Sequence, residues 1–278
     1  MIEQLHLNVH KARFSIKSGW EQWVYIGSDH HFDSTKCDRD LLTKHFKEAK
    51  EKDALIILNG DWYDLMQSTG DRRAMKSALR KEYLADNYLD RVIQDSVDFL
   101  EPYKDNPFMM GQGNHEMSML KFMGTNVVER TVEKLKAMGS KLVLGQYTGW
   151  LLFSFSRKHG ERSTIKLHYH HGYGGNAKRS KGVLGVDLDS QQFPDADIIV
   201  RGHDHNKWHV PVTRDRISLQ GAQYQDVQHH VRLGSYKKLE RLGDWATMKG
   251  FNTPTLGGWW IRFYLINKKI HAQIIAAD

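Results

Sequence analysis

Three short apolar runs in this chain each lead directly into a group of acidic, amide and histidine residues. The runs and the polar residues that follow them are residues 23–26 before Asp29 and His31, residues 54–58 before Asp61, and residues 108–110 before Asn114 and His115. A short apolar run that ends in such residues is typical of a buried strand followed by a loop. Because the carboxyl ends of parallel strands meet at one edge of a sheet, we expect these side chains to gather there.

The stretches between and after these runs predict helices. Residues 38–52 have apolar side chains at helical spacing and a charged outer face, and residues 127–138 form a second predicted helix, which Gly139 ends. Residues 72–103 are highly charged and contain no Gly or Pro before Pro102, which predicts one or two further helices. The first half of the chain is therefore predicted to alternate between strands and helices.

The second half of the chain is predicted to be mostly strand. The predicted strands cover residues 141–144, 150–156, 164–169, 196–200, 207–212, 216–219, 259–266 and 269–276. We therefore predict an α/β fold with two facing mixed β-sheets flanked by helices, a four-layer αββα sandwich. No repeat, low-complexity tract or proline-rich linker divides the chain, so residues 1–278 are expected to form a single domain.

Composition limits the class of protein without identifying it. Of the 278 residues, 40% are hydrophobic, and the net charge of +7 suits an anionic partner but is also common in ordinary enzymes. The single Cys37 excludes an internal disulfide and indicates a reducing compartment. The polar N-terminal residues do not resemble a secretory signal, and no apolar stretch reaches the ~18 residues that cross a bilayer. We therefore expect a cytoplasmic protein without a membrane segment.

Two later groups complete the set of polar clusters, namely His170-His171-Gly172 and Gly202-His203-Asp204-His205. Together the five groups offer about the number of side chains that two divalent ions need, which is roughly seven protein ligands with one carboxylate shared. Imidazole and carboxylate ligands without thiolate suit Mn²⁺, Fe, Zn²⁺, Ni²⁺ or Co²⁺ better than Ca²⁺. The residues alone do not choose among these ions.

The five clusters in this order resemble the motifs of the calcineurin-like metallophosphoesterase family. The matching motifs are Asp29-His30-His31, Gly60-Asp61-Trp62-Tyr63-Asp64, Gly113-Asn114-His115-Glu116, His171-Gly172 and Gly202-His203-Asp204-His205. The resemblance implies two bound divalent ions, with Mn²⁺ named first because the family often uses it. It also implies hydrolysis of a phosphoester by a water molecule that is activated between the two ions. Residues after 205 carry no motif of the family.

The resemblance implies a role for each motif residue. One ion would be held by Asp29, His31, Asp61 and His205, and the other by Asp61, Asn114, His171 and His203. Asp61 would be the carboxylate that both ions share. His115 would face the leaving oxygen as a proton donor rather than bind metal, and Asp64 would orient it.

Two ligand assignments have alternatives within their own motifs. His30 would replace His31 if the register of the first motif shifted by one residue. His170 competes with His171, because alternation in a strand places neighbouring side chains on opposite faces. The spacing of the first motif favours His31, and the His-Gly pair favours His171.

A basic and aromatic loop follows the fourth cluster in the sequence. Its predicted substrate-binding residues are Tyr173, Lys178, Arg179 and Lys181. The cations suit the phosphates that flank a scissile bond, and the tyrosine suits stacking on a base. Two other basic groups, within residues 72–81 and 237–241, are interpreted as solvated surface.

The residue after Asp64 bears on the substrate. Protein phosphatases of the family carry an Arg there, whereas this chain has Leu65, and loss of that bidentate partner favours a phosphodiester over a phosphomonoester dianion. The first hypothesis is therefore a phosphodiesterase or nuclease that acts on DNA, RNA or nucleotides and is closest in character to the repair-nuclease branch. The alternatives are a small-molecule phosphomonoesterase or pyrophosphatase, and a non-catalytic metal-binding module. Protein partners are not predicted.

Overall fold

The computed structural model describes residues 2–65, 79–84, 86–157, 162–174, 180–238 and 253–278. The strands are β1 (Ile2–His6), β2 (Val9–Ser15), β3 (Glu21–Gly27), β4 (Leu55–Leu58), β5 (Phe108–Met110), β6 (Val143–Leu144), β7 (Thr148–Ser156), β8 (Arg162–His170), β9 (Ile198–Arg201), β10 (Trp208–Ile217), β11 (Gln223–Arg232), β12 (Trp259–Ile266) and β13 (Lys269–Ala276). The α-helices are α1 (Arg39–Glu51), α2 (Tyr88–Leu100), α3 (Asn114–Met123), α4 (Val127–Ala137) and α5 (Val186–Gln192). Short 3-10 helices cover Lys81–Tyr83, Glu101–Tyr103 and Val183–Gly185.

The six-stranded sheet places the first three predicted strands side by side. Its order is β13-β12-β3-β4-β5-β6, and β3, β4, β5 and β6 run parallel to one another. Ile26 of β3 is paired with Ile57 of β4, and Ile57 is paired with Met109 of β5. The carboxyl ends of these strands therefore lie at one edge of the sheet. The predicted polar groups lie in the loops that follow the strands at this edge.

The seven-stranded sheet brings the last two polar groups together. Its order is β1-β2-β7-β8-β9-β11-β10, which places β8 next to β9 in the parallel direction. His170 at the end of β8 is paired with Arg201 at the end of β9. The fourth and fifth polar clusters therefore leave adjacent strands at the same level.

Apolar side chains fill the space between the two sheets. Ile26, Ile57 and Met109 of the six-stranded sheet pack in one cluster with Phe153 and Val200 of the seven-stranded sheet, and all five are fully buried. Burial of a side chain of this size contributes about 1.5–3 kcal/mol to stability. The two sheets are mixed and face each other, which confirms this part of the predicted fold.

Helices flank the sheets, as predicted. Phe46 of α1, Val92 of α2 and Val132 of α4 share a second buried cluster with Ile56 and Leu58, the residues of β4 that point away from the first cluster. On the seven-stranded sheet, α5 is attached by a buried ion pair between its Asp189 and Arg201 of β9. Among the described residues, no helix combines the length and apolar composition that crossing a membrane requires.

Some predicted elements differ from those in the structure. Residues 72–78 of the long predicted helix lie outside the described residues, and in its described part the α-helix α2 begins at Tyr88. Residues 79–84, which precede α2, contact the loop after β3 and helix α1 instead. Leu79 forms a bridge with Ser34, and Arg39 donates a hydrogen bond to the Tyr83 hydroxyl over 2.7 Å. The two strands predicted at 207–212 and 216–219 are the single strand β10. Five elements were not predicted, because they are short or have polar residues on an exposed face: β1, β2, β11, α3 and α5.

Candidate metal centre

The loops that carry the five polar clusters are hydrogen-bonded to one another through the backbone. Asp29 N donates to Gly60 O over 3.1 Å, and His31 N donates to Asp61 O over 3.1 Å. Gly202 N donates to His171 O over 2.7 Å, which joins the two clusters of the seven-stranded sheet. These bonds hold the loops next to each other. The polar side chains of the loops therefore start from neighbouring backbone positions.

Unusual backbone conformations direct these side chains. The predicted ligands with a positive φ are Asp29 (53°), His31 (47°), Asp61 (49°), His203 (76°) and His205 (57°). Residues other than glycine enter this left-handed region at a cost of about 1–2 kcal/mol each, and Asp and His tolerate it better than most. Such strain concentrates at functional sites, where the surrounding structure holds it in place. Five strained ligands in adjoining loops mark this edge as a functional site.

The first group of predicted ligands is Asp29, His31 and His205. Asp29 Oδ1 lies 3.3 Å from His205 Nε2, and His31 Nε2 lies 3.4 Å from the same nitrogen. Asp29 is fully buried, and its Oδ1 receives no hydrogen bond from any residue that the structure describes. A buried carboxylate oxygen without a donor is costly, so a cation is the expected partner.

The second group is Asp61, Asn114, His171 and His203. His171 Nε2 lies 3.3 Å from Asp61 Oδ2 and 3.1 Å from Asn114 Oδ1. His203 Nδ1 lies 2.8 Å from Asn114 Oδ1. The two groups are joined, because Asp29 Oδ2 accepts a hydrogen bond of 2.8 Å from the backbone N–H of His203.

The protonation of the histidines supports metal binding in the second group. His171 Nδ1 donates to Asn59 O over 2.8 Å, and His203 Nε2 donates to Gly174 O over 3.0 Å. Each ring in its neutral form therefore keeps a lone pair on the nitrogen that faces the oxygen of Asn114. A cation bound to that nitrogen of His171 would take the place of the ring's second proton, beside the Asp61 carboxylate. Outer hydrogen bonds of this kind are how proteins orient histidine ligands.

The carboxylates of Asp61 and Asp29 create a negative field at the His171 ring. Burial alone would raise the pKa of Asp61, but the nearby charges of His171 and His115 outweigh burial and hold that pKa well below its ordinary value. Burial would likewise lower the pKa of His171, but Asp61 and Asp29 raise it to about 10. A field that attracts a proton so strongly also favours a divalent cation. The residues present therefore fit the binuclear centre that the motifs imply.

His115 and Asp64 lie beside both groups. His115 Nε2 is 3.7 Å from Asp61 Oδ2, and its Nδ1 donates to the backbone carbonyl of Asp64. The Asp64 carboxylate lies 2.9 Å from His31 Nδ1 and 3.8 Å from His115 Nδ1, so its closer histidine is the predicted ligand. The structure thus brings His115 and Asp64 together. The His115 ring contacts the backbone carbonyl oxygen of Asp64 rather than its carboxylate.

Glu116 holds the bridging residue in place, although no role was predicted for it. Its carboxylate accepts hydrogen bonds from Gly113 N over 2.8 Å, Asp61 N over 3.1 Å and Tyr63 N over 2.9 Å. Burial, and then the charge of Asp61, raise the pKa of Glu116 to about 8. One feature of the sequence could have indicated this role. Glu116 is the third residue of a helix that begins after Gly113, and an acidic residue at that position is typical of a capping box.

The structure separates the histidines that competed within two motifs. His30 is fully buried with its ring stacked on Tyr236 at 4.9 Å, and burial lowers its pKa to about 3, so it is a neutral core residue. His170 Nδ1 accepts a hydrogen bond of 2.8 Å from Gly172 N. The neighbours His31 and His171 lie within the ligand groups instead.

The predicted substrate-binding residues are only partly described. Lys178 and Arg179 lie outside the described residues. Tyr173 is exposed next to Gly174, and its ring lies 5.2 Å from the guanidinium of Arg201. Lys181 is exposed, and its carbonyl accepts a hydrogen bond of 2.8 Å from Trp208 Nε1.

Lys237, which was interpreted as solvated surface, lies inside the site. Its Nζ is 2.8 Å from Asp64 Oδ1. No motif pointed to this residue, because it follows the last motif by more than thirty positions in the sequence. Its neighbour Lys238 does lie on the surface, with its side chain 56% exposed and paired with Asp38.

The chain thus combines two facing mixed sheets with groups of His and Asp at one loop edge that could hold metal ions. The model of the calcineurin-like phosphoesterase family matches residues 23–207, which is more than half of the chain. The chain therefore belongs to the calcineurin-like phosphoesterase family, whose members are binuclear-metal-dependent hydrolases of phosphoric esters. This confirms the family prediction. Among curated proteins, none matches the sequence.

Three solved structures to which this chain is similar are distant in sequence. A predicted phosphoesterase from Streptococcus pneumoniae is 11% identical, with 94% of this chain and 92% of that chain covered and a TM-score of 0.35. The calcineurin-like phosphoesterase YfkN from Bacillus subtilis is 11% identical, with 92% and 91% covered and a TM-score of 0.39. Vacuolar protein sorting 29 from Cryptosporidium parvum is 11% identical, with 92% and 97% covered and a TM-score of 0.38.

Gly113 tests the packing around the shared carboxylate. A Cβ at this position would lie 2.1 Å from Asp61 Oδ1 and 2.3 Å from Asp61 N, so Gly113→Ala must displace Asp61. We expect divalent-ion affinity to fall about 10- to 100-fold, because a displaced carboxylate no longer faces both groups. Calorimetric titration with Mn²⁺ measures this. The matched control is Gly185→Ala, whose Cβ meets no atom within 4 Å; equal affinity of the two variants would contradict the assignment.

Proposed function

We propose that this protein is a binuclear metal-dependent phosphodiesterase that acts on nucleic acid or nucleotides. One observation carries the proposal. The buried Asp61 carboxylate lies 3.3 Å from His171 Nε2 in the second ligand group, and His115 Nε2 lies 3.7 Å from the same carboxylate. His115 is in neither group of predicted ligands; its ring groups with His31 and Asp64 instead. A structural metal site needs no such additional histidine. A site that assists departure of a leaving group does.

The ligands divide between two ions as the family motifs imply. One ion would be held by Asp29, His31, His205 and Asp61, and the other by Asp61, Asn114, His171 and His203. When bound, the ions supply positive charge for the phosphate oxygens and acidify a water molecule near neutral pH. Mn²⁺ is the proposed metal, because imidazole and carboxylate ligands suit it and the family often uses it.

His115 is the proposed proton donor to the leaving oxygen. The hydrogen bond from its Nδ1 to the Asp64 carbonyl holds the ring with Nε2 toward Asp61. Its side chain is 10% exposed, compared with 2% for Asp61, so it lies on the open side of the shared carboxylate. In its doubly protonated form the ring would donate from Nε2, and the same hydrogen bond at Nδ1 would stabilise the cation. Asp64 therefore orients His115 through its backbone and His31 through its carboxylate.

The residue after Asp64 supports a diester substrate. Leu65 is 3% exposed, so an apolar buried side chain occupies the position where family phosphatases carry a phosphate-binding arginine. A diester has one negative charge and needs less compensation than a monoester dianion. The net charge of +7 and the loop that carries Tyr173, Lys178, Arg179 and Lys181 further suit a polyanionic substrate.

The choice between diester and monoester is tested with chromogenic esters. We expect the Mn²⁺-loaded protein to hydrolyse bis-p-nitrophenyl phosphate with a higher kcat/KM than p-nitrophenyl phosphate. Release of nitrophenol from both esters, measured with one protein preparation, gives the ratio. A ratio below one would point instead to a small-molecule phosphomonoesterase. Turnover of neither ester by fully metal-loaded protein would point to a non-catalytic metal site.

The role of His115 is tested by His115→Ala. Loss of a positioned proton donor is expected to lower kcat roughly 10²- to 10⁴-fold, while the number of bound ions per chain stays the same. Elemental analysis of the purified variant measures the metal. His271→Ala is the matched control, because His271 is exposed on β13, away from the site. If His115→Ala lost its metal together with its activity, His115 would be a ligand and the proposed role would be wrong.

A further inference from the structure

Two basic side chains, an imidazole and an ammonium group, approach a single oxygen of Asp64. His31 Nδ1 lies 2.9 Å from Asp64 Oδ1, and Lys237 Nζ lies 2.8 Å from the same atom. His115 Nδ1 is 3.8 Å away from it. The Asp64 side chain is 2% exposed, so its charge is compensated inside the protein. Lys237 is therefore built into the wall of the site and is not a surface lysine that happens to lie near it.

The backbone around Lys237 is fixed to the first ligand loop. Ser235 Oγ donates to Asp29 O over 2.9 Å, and Tyr236 N donates to the same oxygen over 3.0 Å. Tyr236 is fully buried, and its hydroxyl contacts His45 Nδ1 at 2.5 Å. Lys237 and Cys37 form an isolated bridge on the other side. The direction of the Lys237 side chain is thus set by buried contacts on both sides of it.

Lys237 is the member of this group that solvent reaches. Its side chain is 26% exposed, whereas the side chains of His31 and Asp64 are each 2% exposed. An ammonium group has three N–H donors, and Asp64 accepts one of them. No other acceptor for Lys237 Nζ occurs among the residues that the structure describes. Within the described part of the chain, two N–H donors of Lys237 are thus without an acceptor, and its ammonium can donate to an anion while it stays paired with Asp64.

The position of Lys237 relative to His115 indicates which part of a substrate it would meet. Asp64 connects the two residues, since its carboxylate contacts Lys237 and its carbonyl contacts the His115 ring. If His115 faces the leaving oxygen, Lys237 lies on the leaving-group side of the scissile bond. A cation there lies beside His31 of the first ligand group and is placed to bind a phosphate next to the scissile one.

We propose that Lys237 forms a subsite for a second phosphate, located on the leaving-group side of the scissile phosphodiester. This inference rests on the proposed phosphodiesterase function and narrows its substrate class. The preferred substrate would carry another phosphate next to the bond that is cleaved, as in a nucleic acid strand or a terminally phosphorylated dinucleotide. A cation from the C-terminal part of the chain would thus act beside Asp64, where the adjacent Leu65 provides none.

Three dinucleotides test the subsite: TpT, pTpT and TpTp. They share one scissile bond and differ only in a terminal phosphate, and the two phosphorylated forms cover both possible directions of cleavage. We expect Mn²⁺-loaded wild-type protein to hydrolyse one of the two phosphorylated forms faster than TpT. Chromatographic separation of the products gives kcat/KM for each substrate and identifies the leaving fragment.

Substitution of Lys237 should remove this preference. With Lys237→Met, we expect the ratio of kcat/KM between the preferred phosphorylated dinucleotide and TpT to fall roughly tenfold, because a charged hydrogen bond to the extra phosphate is lost. Lys237→Arg keeps the charge and should restore most of the ratio. The matched control is Lys238→Met, which removes the same charge from an exposed side chain one residue away and should leave the ratio unchanged.

Bound metal per chain, measured for every variant, separates the possible results. Two results would overturn the subsite and show that Lys237 acts only through Asp64. The first is an equal loss of kcat/KM on all three dinucleotides in Lys237→Met. The second is a loss of bound metal in Lys237→Met that Lys237→Arg reverses, while the ratio of kcat/KM between substrates does not change. Hydrolysis of TpT by wild-type protein without a preference for either phosphorylated form would also overturn it. Failure of metal-loaded wild-type protein to hydrolyse any of the three would overturn the phosphodiesterase function itself.

Discussion

The buried carboxylate of Asp61 is the constraint on which the rest of the site depends. It is buried, lies 3.3 Å from His171 Nε2 and is the proposed ligand of both ions, so its charge would be compensated by cations that the histidines help to bind. The surrounding structure is arranged to hold it there. Three backbone N–H groups and Glu116 fix the turn, Gly113 allows the close approach, and Asn59 and Gly174 orient the rings of His171 and His203. The strained backbone of the ligand loops is stable only because the strands and these hydrogen bonds determine it.

The sequence predicted the strands that position this carboxylate, because each is a compact apolar run with a distinct polar ending. Strands β3, β4 and β5 follow this pattern, and the side chains after them converge as expected. The assignments of His31 over His30 and of His171 over His170 rested on motif spacing, and the structure places His31 and His171 in the ligand groups. Both assignments stay predictions of metal ligands; a one-residue change in register would turn the other histidine of each pair to the opposite face.

Features that arise from contacts between distant parts of the chain were not predictable. Strands β1, β2 and β11 have polar residues on an exposed face, so their sequences lack the continuous apolar run that marked the central strands. Lys237 was assigned to the surface, because nothing in its own segment shows that Ser235 and Tyr236 attach that segment to Asp29. The contact of the Asp64 carboxylate with His31 depends on the same tertiary arrangement. Motifs therefore identify ligands, whereas the residues that orient them appear only in three dimensions.

The most direct test of this account is anomalous X-ray scattering from crystals of the Mn²⁺-loaded protein. The account predicts two peaks, separated by about 3.5–4 Å, with the Asp61 carboxylate in contact with both. One peak should lie among Asp29, His31 and His205, and the other among Asn114, His171 and His203. A single peak, or two peaks that do not share Asp61, would contradict the central claim that this carboxylate joins the two groups into one binuclear centre.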